Sequence, residues 1–421
     1  MTENQPNLTW IQQLPKVCLH DHLDGGLMPE TLIELAAEVG HTLPTTDPDH
    51  LAAWFKEAAD SRSLERYLET FEHTVAVLQT ADNLRRVARD HVLTLAADGV
   101  IYGEVRWAPE LHTRGGLTYG EAVEAVADGL MDGMEEVGRA GGRILVNQIL
   151  CAMRQNQNSV DVVKTALNYR HLGVVGFDLA GPEDGHPVSE HAEALNLAAE
   201  NFLPVTLHAG EAYGLDSITE ALTTGRALRL GHGVRITEDI TARTLAELDP
   251  DGQLMPGADP NQTVLQLGAA AEWVKNRRIT LETCPCSNLQ TDAAEKAANV
   301  GHHRPFDPAR QHADHPAALL LQAGFAVTIN PDNRLMSATS MTREFAELAL
   351  NHGFGLPDFF EVTFHAINGA FCSHDEKQAL IQSIQAVYGQ LALQEQQDQQ
   401  GQDGAAPAPG AGTVDPGQAT F

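Results

Sequence analysis

The sequence predicts an α/β fold, a (β/α)8 TIM barrel with additional helices over the C-terminal mouth. Three observations predict it. Eight short, β-branched-rich apolar runs recur along the chain, most of them continuously hydrophobic rather than alternating. That is the pattern of strands buried on both faces, as in parallel sheets. Segments of helical period separate them, so strand and helix alternate. The chain of 421 residues suits an enlarged barrel or two ordinary domains. A doubly wound open sheet is the competing architecture, but no Gly-rich phosphate turn follows an early strand.

The strands are expected at Val17–Leu23, Val100–Trp107, Ile144–Cys151, Val174–Leu179, Val205–His208, Leu230–Val234, Ile279–Thr283 and Ala326–Ile329. Between the first two, Leu51–Thr80 exceeds what a minimal barrel needs. Its Leu64, Tyr67, Leu68 and Phe71 follow a helical stripe, read either as core packing or as an apolar lid over the mouth. The next helix, from Ala81 to Leu95, turns Leu84, Val87, Ala88, His91, Val92 and Leu95 to one side. Ser189–Asn201 and Ile218–Leu228 read as helices too, and Asp249–Thr263, rich in Pro, Gly and Asp, as a surface loop. Residues 1–393 form one domain. From 394 to 421, Gln, Gly, Ala and Pro dominate, a composition that cannot bury enough apolar surface to order itself.

Composition narrows the function. Lys and Arg number 27 against 57 Asp and Glu, giving a net charge of −30. Such a surface repels nucleic acid and anionic membranes. The five cysteines are irregularly spaced, so they form no disulfide framework. Cys284-Pro285-Cys286 has no second pair to complete a site, and small buried thiols are expected. Residues 1–16 contain no apolar secretory region, and no run approaches a membrane span. A cytoplasmic protein is expected, with its oligomeric state open.

In a barrel of this kind the chemistry comes from the C-terminal ends of the strands. The first run delivers His20-Asp21-His22-Leu23-Asp24-Gly25. Side chains alternate along a strand, so His20 and His22 share a face and can close on one metal ion. Alone, the pair reads equally as two polar residues at a strand end. The later ends add Asp178-Leu179-Ala180-Gly181, His208-Ala209-Gly210-Glu211, Gly231-His232-Gly233, Cys284-Pro285-Cys286-Ser287-Asn288 and Asn330-Pro331-Asp332-Asn333. Each is individually bland; their coincidence at one end of a barrel is not.

These motifs, with Gly176 through Glu183 and Cys284-Pro285-x-Ser287-Asn288-x-Gln290-Thr291, resemble the adenosine deaminase family of the amidohydrolase superfamily. The resemblance runs from about Lys16 to the end of the C-terminal helical region. It implies one Zn2+ held by His20, His22, His208 and Asp332, with a water completing the shell. Two-metal relatives usually place a carboxylated lysine near the end of the fourth strand, where this chain has none. The other class of zinc nucleobase deaminases uses His-x-Glu followed by Pro-Cys-x-x-Cys, which is absent after Pro285.

The resemblance further implies conversion of adenosine and 2′-deoxyadenosine, small-molecule purine nucleosides, to the inosine products with release of ammonia. Glu211 would protonate purine N1, for which burial must raise its pKa. His232 and Asp332 would orient the attacking water, take its proton and stabilise the developing charge. Gly181 would offer a backbone N–H to N3, Asp24 would accept from the ribose 5′-hydroxyl, and Leu68 and Phe71 would cover the base. Two residues depart from the usual pattern. Asn333 stands where many members carry a second Asp, facing N7, and its amide can donate to that acceptor. Pro331 stands where Thr is usual and restricts Asn330. The alternatives are another 6-aminopurine substrate (adenine or an aminofutalosine-like nucleoside) and a catalytically silent purine-binding protein.

Overall fold

The computed structural model describes residues 9–60, 64–248, 259, 261–297 and 312–403, with the side chains of 64–69 and 398–403 outside the description. The strands are β1 (Lys16–His22), β2 (Val100–Trp107), β3 (Leu145–Met153), β4 (Val174–Ala180), β5 (Thr206–Ala209), β6 (Arg229–His232), β7 (Ile240–Thr244), β8 (Thr263–Leu267), β9 (Thr280–Thr283) and β10 (Val327–Ile329). Eight of them fall where the apolar runs predict. They pair in parallel as β1-β2-β3-β4 and β5-β6-β9-β10. Two isolated parallel bridges join these sheets, Phe177 to Val205 on one side and Asp21 to Asp332 on the other. The second carries hydrogen bonds from Asp332 N to His20 O (3.0 Å) and from His22 N to Asp332 O (2.9 Å). The eight strands thus close into a barrel.

The helix at Ala81–Ala97 is capped by the Thr80 hydroxyl and buries the expected face, Leu84, Val87, Ala88, His91, Val92 and Leu95. Packing of that apolar stripe, more than intrinsic propensity, holds such a helix in place. The stretch Leu51–Thr80 is helical, in Pro48–Ala59 and Leu64–Val77. Asp60 accepts a hydrogen bond from Gln290 Nε2 at 2.8 Å, tying the end of the first of these to the short helix Pro285–Gln290 after β9.

Three expectations shift. The helix expected over Ile218–Leu228 runs Leu215–Thr223; a Cβ on Gly225 would strike Leu207, so the chain turns there and feeds β6. The antiparallel hairpin β7–β8 was not expected, and Thr263, assigned to a loop, begins its second strand; residues 249–258 lie outside the described residues. The C-terminal helix spans His374–Asp403, so the boundary expected at residue 393 falls inside it. Its continuation is rich in Gln and Glu, good helix formers that need no buried face. Residues 404–421 are outside the description. All five cysteines are free; Cys18, Cys151 and Cys284 are buried.

Candidate active site

β1 presents His20 and His22 to the barrel interior, and the turn after β10 presents Asp332. Asp332 Oδ1 lies 3.4 Å from His20 Nε2 and 3.3 Å from His22 Nε2. Ser287 Oγ donates to the other oxygen, Oδ2, at 2.7 Å, which fixes the carboxylate and leaves Oδ1 facing the histidines. His208, from β5, groups with His20 and His22, and His232, from the end of β6, groups with His20 and Asp332. Within each group the candidate ligand atoms lie within 4.8 Å of one another.

These residues fit a divalent metal. Two ligands at about 2.0–2.1 Å from a tetrahedral ion sit about 3.3 Å apart, the spacing seen at Asp332. His20 Nε2 and Asp332 Oδ1 are buried and have no hydrogen-bond partner within the protein. Buried polar atoms of this kind are costly unless something satisfies them. Burial and neighbouring histidines hold His22 well below the ordinary imidazole range, so its ring nitrogen is free to ligate.

Behind the histidines lies a layer of buried charge. Glu282 Oε2 faces His20 Nδ1 at 2.9 Å, and Asp178 Oδ2 faces His208 Nδ1 at 2.9 Å. Carboxylates so placed orient a ligating imidazole and raise its basicity. Arg106 joins the two, donating to Asp178 (2.8 Å) and to Glu282 (2.6 Å). Arg229 pairs with Glu282 (2.5 Å) and Glu104 (2.6 Å). None of these roles was assigned from the sequence. The signal was a charged residue inside an otherwise apolar strand run.

Glu211 follows His208 on the loop after β5. Glu183 cradles that loop, accepting from Gly210 N (2.8 Å), Glu211 N (3.0 Å), Tyr213 N (2.8 Å) and Ser217 Oγ (2.8 Å). Glu211 Oε2 lies 3.4 Å from His232 Nε2, and 17% of its side chain stays exposed. Burial of the rest, then the nearby Asp332 and Glu183 carboxylates, pushes its carboxyl up to about 8. The expected rise is present.

The remaining candidates are placed as follows. Asp24 is buried just past β1, and burial pushes its carboxyl up to about 6. Gly181, with φ of 89°, follows β4; a Cβ there would meet Gln155 and Met153. Asn333 is buried against Gly25, where any Cβ would collide with its Oδ1. Pro331 precedes Asp332, whose backbone is held by the bridge to β1. Phe71 is half-buried and packs on the main core. The side chain of Leu68 lies outside the described residues.

A family model described as adenosine deaminase matches residues 15–387. The chain belongs to the adenosine deaminase family. It is similar to adenosine deaminase 1 of Streptomyces coelicolor, 46% identical over 380 residues that cover 90% of this chain and 88% of that one. It is also similar to an adenosine deaminase of Mycobacteroides abscessus, 44% identical over 379 residues, 90% and 96% of the two chains. Among solved structures, an adenine deaminase from Arthrobacter aurescens shares the fold, with a TM-score of 0.69, 24% identity and coverage of 89% of this chain and 98% of that one. Among the described residues no helix is long and apolar enough to cross a membrane.

Proposed function

We propose that the protein hydrolyses adenosine and 2′-deoxyadenosine to inosine and 2′-deoxyinosine with release of ammonia, using one zinc ion held by His20, His22, His208 and Asp332. The observation that carries this reading is Glu211, a largely buried carboxyl 3.4 Å from His232 beside the histidine cluster, pushed up to about 8 by burial. A metal site alone serves many hydrolyses. An adjacent acid is what an aminopurine ring needs. When bound, zinc supplies a water whose pKa is lowered to about 7.

The chain's own residues do the rest. Glu211 gives its proton to purine N1, which relieves the loss of aromaticity as the water oxygen bonds to C6. His232 and Asp332 flank that water, orient it and remove one proton. The tetrahedral carbinolamine then takes that proton on its amine, and the C6–N bond breaks with its electron pair leaving on ammonia. The hydroxyl proton restores Glu211, and the carbonyl of inosine forms.

Asp24 accepts from the ribose 5′-hydroxyl and disfavours a 5′-phosphate by repulsion. Gly181 N–H meets N3, Asn333 meets N7, and Phe71 lies over the base. The free cysteines accord with a cytoplasmic setting. A deamination screen of purine nucleosides and bases, with zinc measured on the same sample, tests the reading. Adenosine and 2′-deoxyadenosine are expected to lead, at one zinc per chain; preference for adenine, or turnover without metal, would overturn it.

A further inference from the structure

The helix Pro285–Gln290, which follows β9, touches the reaction centre through side chains to which sequence reasoning gave no role. Ser287 holds Asp332. Thr291, just past its end, meets Glu211 Oε1 at 3.0 Å. Between them Asn288, fully buried, lies against His232, with Nδ2 3.0 Å from His232 Nδ1.

The direction of that contact can be worked out from its far side. Cys284 N–H, which can only donate, points at Asn288 Oδ1 at 3.2 Å. His315 supplies a second constraint. Its Nδ1 accepts from Ala317 N at 3.2 Å, so it carries no proton there. Its Nε2 must therefore carry the proton, and it lies 3.4 Å from the same Asn288 Oδ1. Two donors converge on that oxygen, which identifies it as the carbonyl end of the amide. The other end, Nδ2, has only hydrogens to offer. His232 Nδ1 must then present a lone pair, because an N–H there would oppose the N–H of Asn288. A neutral imidazole with a bare Nδ1 carries its proton on Nε2. That nitrogen is the one facing the reaction centre, 3.4 Å from Glu211 Oε2. The whole chain is polarised one way, from the Ala317 and Cys284 backbone amides through His315, Asn288 and His232 into the site.

We propose that Asn288 is a positioning residue that fixes His232 as its Nε2–H tautomer, so that His232 donates a hydrogen bond into the site and the proton of the attacking water leaves through Asp332. The proposal rests on the deaminase reading above and divides between two residues a task that reading gives to both. An imidazole already protonated at Nε2 cannot accept a proton there. It can stabilise negative charge on the water oxygen as that oxygen approaches C6. That leaves Asp332, the other group beside the water, as the acceptor: its Oδ1 faces the histidines and its Oδ2 accepts from Ser287.

The test replaces Asn288 without changing its shape. In Asn288→Asp the oxygen facing Cys284 N–H persists, but the atom facing His232 Nδ1 becomes an acceptor. The ring must then move its proton to Nδ1 and present a bare Nε2. Asn288→Ala removes the constraint and leaves both tautomers accessible. Zinc-loaded wild type and both variants are labelled with 15N-histidine, and the His232 signals are assigned by their loss in His232→Gln. In wild type, Nδ1 is expected at an unprotonated shift and Nε2 at a protonated one; in Asn288→Asp the two exchange.

Kinetically, Asn288→Asp is expected to lose about 100–1000-fold in kcat, the size of a lost oxyanion donor, with KM near wild type and zinc at one per chain. Asn288→Ala is expected to lose at least tenfold less. His232→Gln, which keeps a donor near the Nε2 position, is expected to outperform His232→Ala. A protonated Nδ1 in wild type, equal kcat for the two Asn288 variants, or equal kcat for the two His232 variants would overturn the proposal. Failure of the deaminase reading looks different: wild type itself, in the same assays, would bind no zinc or leave adenosine unchanged.

Discussion

Arg334 Nε lies 2.8 Å from Asp21 Oδ2, and this buried ion pair ties the residue between two histidines of the metal cluster to the loop that carries Asp332. His91 completes a triangle, with Nδ1 2.7 Å from Arg334 Nη2 and Nε2 3.3 Å from Asp21 Oδ2. Asp21 points away from the site, as strand alternation requires. It braces the strand between the two histidines from behind.

Arg334→Met is therefore expected to act on stability and on metal retention together. Removing one partner of a buried pair costs about 3–5 kcal/mol, and losing an outer support of a metal site costs about 10–100-fold in affinity. Thermal unfolding and metal content after dialysis against a chelator read the two effects. Retention equal to wild type would remove Arg334 from the support of the site.

Glu211 has a carboxyl raised to about 8 and must be protonated to act as the acid. Loss of its proton removes the acid, so kcat/KM for adenosine is expected to fall as pH rises through about 8. Glu211→Gln is expected to keep its metal and lose about 100–10,000-fold in kcat, the range of general acid catalysis. The alkaline fall should vanish with it. A pH profile with metal analysis of both proteins decides; an unchanged kcat would acquit Glu211.

Asp24 tests the nucleoside end of the site. Its carboxyl, raised to about 6 by burial, is ionised above that pH and can accept from a 5′-hydroxyl. A hydrogen bond to a charged group contributes about 1.5–3 kcal/mol, so Asp24→Ala should lose most of the preference for adenosine over 5′-deoxyadenosine. An unchanged ratio of kcat/KM values would place the hydroxyl elsewhere.

Glu282 accepts from Arg106, Arg229 and Thr206 and faces His20, with no exposure to water. Burial alone would raise its carboxyl, but the two guanidinium groups hold it well below the usual range. A depressed carboxyl contributes stability that is fully present above the unfolded value of about 4.3 and is lost as pH falls below it. Acid unfolding should therefore be steep below about pH 4. Glu282→Gln should flatten it and lower Tm at neutral pH, by leaving two buried arginines short of charge. Equal acid midpoints for the two proteins would show that the layer contributes nothing.

Much of this was legible in the sequence because parallel barrel strands are buried on both faces. Val100–Trp107 and Val174–Leu179 announce themselves as apolar runs, and residues just past such runs are the ones a barrel delivers to its mouth. What escaped was of two kinds. β7 reads Ile-Thr-Ala-Arg-Thr and is half-exposed, so it carries no strong pattern, and its partner lies well downstream in the chain. The second kind is pairing across the barrel. Glu104, Arg106, Arg229 and Glu282 are ordinary charged residues until the fold brings them together. Asn288 was visible as part of a motif, but the direction of its amide depends on Cys284 N–H and on His315, which periodicity cannot reveal.

The barrel's first and last strands meet at a single bridge, Asp21 to Asp332, and that bridge is flanked by the proposed metal ligands. The ion that serves the reaction would therefore also act as a clasp on one of the two seams where a single bridge closes the ring of strands. Removing it should loosen this join before any other. Amide hydrogen exchange at His22 and Asp332 would quicken in the metal-free protein, while the amides joining β2 to β3 stay protected, so metal loss would register as local opening well before global unfolding.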